Sequence, residues 1–116
     1  MADPAPAIPV VFWRSANGRE PVREWLKDLP KGDRRVIGFD LRRLQIGWPV
    51  GMPLCRSLGG GLWELRSSLP SRRIARVIFA VHVGELVLLN GFVKRTQKTP
   101  PQEIDLAAKR LKELLS

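Results

Sequence analysis

The chain contains no tyrosine, one histidine (His82) and one cysteine (Cys55) among 116 residues. Each scarcity excludes a class of chemistry. A zinc site of ordinary ligand count lacks material, so no metal is expected. One cysteine cannot form an internal disulfide, which fits a reducing cytosol. Acid is also scarce: 11 Asp and Glu stand against 20 Lys and Arg, a net charge of +9. No Asp-x-Asp pair occurs in the strand-rich region, which disfavours a two-metal nuclease. No apolar run approaches the ~18 residues of a membrane span. The longest, Ile78 to Val83, is strand-sized and interrupted by His82. The opening residues, MADPAPAIP, lack the basic-then-apolar order of a signal peptide. The expectation is a soluble, cytoplasmic protein with no cofactor and no membrane partner.

What is present is cationic and folded. Arginine and lysine are interleaved with Val, Ile, Leu and Trp rather than gathered in a solvated tail, so they decorate a packed surface. The excess positive charge points to nucleic acid or an acidic protein partner. A chain of this length builds one compact domain. Residues 1–9 read as a proline-stiffened, disordered arm and residues 10–116 as a single domain.

The pattern predicts an α+β fold. Val10–Trp13 is a β-branched and aromatic first strand. Pro21 starts a helix that Pro30 and Gly32 end, with Val22, Trp25, Leu26 and Leu29 at helical spacing. A second helix runs from an Asp33 N-cap to Ile46, and a loop rich in proline and glycine follows over 47–53. The period then changes to that of strands: 54–58, 62–67, 72–83 and 86–93, with turns at 59–61, 68–71 and 84–85. A helix over 101–115, capped near Thr99, closes the chain. Two helices, three or four antiparallel strands and a last helix imply helices packed on one sheet face.

The most informative stretch is Phe92–Pro101, a basic turn between an apolar strand and a charged helix. Arg66 and Arg76 share the polar parity of neighbouring strands, so a tight turn at 68–71 would bring their side chains to one face. Lys94, Arg95 and Lys98 would close that face from the last strand's end. Guanidinium groups grip phosphate in a fork and lysine acts as a point charge. The triple glycine at 59–61 precedes a strand, which makes it a turn and not a phosphate cradle.

The segments Gly61-Leu62-Trp63-Glu64-Leu65-Arg66, Arg76-Val77-Ile78-Phe79 and Val87 through Pro100, with Ile104, Ala107 and Arg110, resemble the RelE/ParE superfamily of bacterial toxins. The likeness is greatest to its phage-derived, HigB-like branch. It covers almost the whole chain after the arm. The resemblance implies a RelE-like fold and a ribosome-dependent, metal-independent mRNA endoribonuclease that inhibits translation. It also implies a cognate antitoxin carrying a helix-turn-helix domain, with the ribosome and mRNA as further partners. Carried onto this chain, the catalytic set is Arg66, Arg76 and Lys94. Arg73, Arg95, Lys98 and the loop residue Trp48, expected to be exposed, would contact RNA. Two other readings stay open: a ParE-like inhibitor of DNA gyrase on the same fold, and a non-catalytic basic nucleic-acid-binding module.

Overall fold

The computed structural model describes residues 7–94 and 98–116. The elements run β1 (Val10–Phe12), α1 (Pro21–Asp28), α2 (Lys31–Gly47), β2 (Cys55–Gly59), β3 (Leu62–Ser68), β4 (Ile74–His82), β5 (Glu85–Lys94) and α3 (Pro101–Leu115). The sheet order is β1-β5-β4-β3-β2. Strands β2 to β5 form an antiparallel meander, and β1 adds a parallel edge to β5. This α+β arrangement is compatible with the RelE-like fold.

The helices do not share one face. Helices α1 and α2 cover one side, where Val22, Ile37, Leu41 and Leu44 meet Leu65, Val77, Phe79, Leu86 and Leu88. Helix α3 covers the other, where Ala107 meets Leu62, Ile78, Ala80, Val87, Leu89 and Phe92. The reason lies in β4 and β5, whose successive residues are nearly all apolar. Strands apolar on both sides need cover on both.

Local details shift several expected boundaries. The N-cap of α2 is Pro30, and Asp33 lies inside its first turn. There Asp33 is buried and accepts from Arg73 Nη2 at 3.3 Å and Ser71 Oγ at 3.2 Å. An acid in a helix's first turn also suits the backbone dipole. Just before β1, Ile8 N donates to Gln45 O at 3.1 Å, and Gln45 Nε2 returns a bond to Ile8 O at 3.0 Å. The expected turn at 59–61 holds, with all three glycines at positive φ.

A β-bulge in β5 fixes how α3 attaches. Phe79 pairs with Leu88 while Ile78 pairs with Asn90, so Leu89 is the extra residue. The bulge turns both Leu89 and Asn90 toward α3. Asn90 Nδ2 donates to Glu103 Oε2 at 2.7 Å, and Arg110 Nη1 donates to the Leu89 carbonyl at 2.7 Å. Gly91 then faces α1, where a Cβ would fall 2.4 Å from the Trp25 ring. Only a residue without a side chain lets that indole lie flush on the strand. Among the described residues, no helix is long and apolar enough to cross a membrane.

Candidate functional site

The strand register converts the scattered cations into rows across one sheet face. The outermost row is Ser68, Ile74 and Lys94; the next is Arg66, Arg76 and Phe92; the third is Arg56, Glu64, Ile78 and Asn90. Arg66 and Arg76 are direct cross-strand partners. Two like charges in opposed positions repel, so something must compensate them.

For Arg76 the compensation is Glu64. Both side chains are fully buried, and Arg76 Nη1 lies 3.9 Å from Glu64 Oε2. Arg56 Nε donates to the other carboxylate oxygen at 3.1 Å. Thr99, arriving from beyond the end of β5, joins all three: its Oγ1 accepts from Arg76 Nη1 at 2.7 Å and Arg56 Nη2 at 3.1 Å, and donates to Glu64 Oε2. Burial lowers the pKa of Arg76, the charge of Glu64 opposes that shift, and Arg66 and Arg56 reinforce it. Ions taken out of water are tolerable only when paired and hydrogen-bonded in this way.

The structure therefore corrects two expectations. Arg76 lies buried within this network and not on an open face. Thr99 is not a helix cap: the N-cap of α3 is Pro100, without a side-chain bond, and the hydroxyl of Thr99 belongs to the network.

Arg66 has a different setting. Strand β2 begins opposite Leu65, so the end of β3 overhangs the sheet edge. Between that overhang and α2 lies an open cleft of about 450 Å3, lined by Arg66, Ser68 and Ile74 from the strands. Asp40 and Arg43 form part of its other wall. Arg43 Nη1 lies 3.4 Å from Asp40 Oδ1. Lys94 is half-buried and pairs in register with Ile74, beside the cleft. The cleft is thus cationic on both walls, with a single carboxylate within it.

A family model described as "Phage derived protein Gp49-like (DUF891)" matches residues 24–112. The chain belongs to this family. The Gp49-like family falls within the RelE/HigB-like superfamily of toxin–antitoxin toxins, which implies an antitoxin partner. No curated protein matches the chain. The Gp49-like match spans α2 and every strand of the cleft and of the buried network.

The remaining candidate residues divide. Arg73 is held back by Asp33 and Ser71 on the turn before β4. Trp48 is not exposed as expected: it packs edge-on against Trp63 and Phe79, with ring centroids 5.0 and 5.5 Å away. The apolar faces of those two rings draw the loop tryptophan onto the core. Lys98 is exposed. Arg95 lies outside the described residues. Asp40, Arg43, Glu64 and Thr99 were not among the expected site residues. The spacing 36-40-43, one stripe of a helix, is the signal in the sequence that groups the first two.

Proposed function

We propose that this chain is a toxin that cleaves mRNA on the translating ribosome and is neutralised by an antitoxin bearing a helix-turn-helix domain. The observation that carries the reading is the open, two-walled cleft of Arg66 and Arg43 beside Lys94, in a chain of the Gp49-like family. RNA carries its own nucleophile. Its 2′-hydroxyl loses a proton and attacks the adjacent phosphorus, the P–O5′ bond breaks, and the departing oxygen takes up a proton. The products are a 2′,3′-cyclic phosphate and a 5′-hydroxyl end. No metal is required for that displacement if cations are aimed at the charge gathering on the phosphoryl oxygens.

In this scheme Arg66 supplies the forked contact to phosphate and Lys94 a point charge from the neighbouring row. Arg76 does not touch the substrate. It is a positioning residue that, through Thr99, ties the far end of the segment after Lys94 to the sheet.

The test is induction of the chain in bacteria followed by mapping of mRNA ends. The expected result is growth arrest with new ends inside translated codons. Intact mRNA accompanied by DNA damage would replace this reading with gyrase inhibition, and unimpaired growth would overturn toxicity itself.

A further inference from the structure

We propose that Asp40 makes the cleft selective for ribose, its carboxylate accepting a hydrogen bond from the 2′-hydroxyl of a nucleotide whose phosphate rests on Arg66 and Arg43. The inference rests on the reading of the cleft as an RNA site and adds the residue that distinguishes RNA from DNA there.

Three observations carry it. Val36, Asp40 and Arg43 form one stripe of α2, and all three line the cleft opposite Arg66 and Ser68. The Asp40 side chain is about nine-tenths buried, and its contact with Arg43 is a single long one at 3.4 Å. A carboxylate has roughly four acceptor positions, so this contact leaves capacity for a donor entering the cleft. The volume, about 450 Å3, falls in the range of small-ligand sites, roughly 300–1,000 Å3.

Charge gives the argument its direction. An acid within a cleft for phosphates repels every phosphate that enters, whether from RNA or DNA. A ribose offsets that repulsion by offering a hydroxyl donor, and a deoxyribose has none to offer. The same carboxylate therefore disfavours DNA and is tolerated by RNA. The competing account is that Asp40 only orients Arg43 through a helical i,i+3 pair, worth a few tenths of a kcal/mol.

The two accounts separate in a binding assay with short single-stranded oligonucleotides of one sequence in ribo and deoxy forms, read by fluorescence anisotropy on the full chain. The wild type is expected to prefer RNA by about tenfold, equivalent to about 1.4 kcal/mol. Asp40→Ala should bind the DNA more tightly and bring the ratio within about twofold. Asp40→Asn keeps the volume and half of the acceptor capacity. It is the variant to read if the alanine chain does not fold, and it should relax the ratio by about threefold. Arg43→Gln should weaken both ligands and keep the ratio.

A wild type indifferent to sugar would overturn the proposal, as would Asp40 variants that weaken RNA and DNA equally. Ribose preference without any cleavage on ribosomes would sink the interferase reading and leave the proposal standing. Cleavage with an unchanged ratio in both Asp40 variants would do the reverse.

Discussion

Arg66 and Arg76 face each other across two strands, yet one lines an open cleft and the other is sealed from solvent. The difference comes from what lands on each. Thr99 and Glu64 close over Arg76, whereas Arg66 lies where β3 runs past the start of β2 and borders the cleft beside α2. The guanidinium of Arg76 is taken up by Glu64 and Thr99, while that of Arg66 lines the cleft beside α2. Equal charge and adjacent register therefore do not imply equal function.

The largest expected effect tests that division. Glu64→Ala removes the carboxylate paired with the buried Arg76 and should cost about 3–5 kcal/mol. Arg66→Ala, at the edge of the cleft, should cost no more than about 1 kcal/mol while removing most RNA affinity. Urea unfolding beside RNA binding checks both. If the two variants lose similar stability, the contrast between the sealed and open arginines collapses. For the same reason, an Arg76 substitution is expected to lower the stability of the chain as well as any toxicity.

An intermediate effect is expected at Thr99. Thr99→Val keeps the shape and deletes the hydroxyl that serves Arg56, Arg76 and Glu64, for an expected loss of about 1–3 kcal/mol. Thermal melting measures it, and an unchanged midpoint would show that the hydroxyl contributes nothing to the sealed region.

The smallest effect uses Cys55 as a reporter beside Glu64. Burial, and secondarily the charge of Glu64, pushes the thiol up to about 11. An unfolded chain loses that proton near pH 9.0 and the folded one keeps it to about 11. The unfolded state thus binds fewer protons across this window, and stability should fall as pH rises from about 9 toward 11. Urea unfolding of the parent chain at several pH values across that window checks it. A stability that stays level from about pH 9 to 11 would deny that folding holds the proton on this thiol.

Much of this was legible in the residues. The succession of elements along the chain, the bounds of α3 and the Arg66–Arg76 pairing follow from parity and turn placement, whereas the parallel pairing of β1 with β5 as a fifth strand does not. The depth of Arg76 was not, because depth is set by a threonine 23 positions further along the chain. Parity tells which face a side chain takes and is silent about what covers that face. The placement of Asp40 and Arg43 at the cleft was hidden for a related reason: a charged helix stripe looks solvated until the sheet edge it overlooks is known. Trp48 misled in the opposite direction, since a loop rich in proline and glycine reads as exposed until Trp63 and Phe79 offer it a surface.

The bulge at Leu89 has a mechanical consequence. An extra residue in a strand offers a carbonyl outside the regular ladder, and here Arg110 takes it while also stacking 4.9 Å above the Trp13 ring. One position further on, Asn90 grips the first turn of the same helix. Helix α3 is therefore riveted at two points by polar groups, not merely rested on an oily surface. Prying it away would leave a carbonyl and an amide without their partners, so α3 behaves as a fixed wall of the domain and not as a detachable flap.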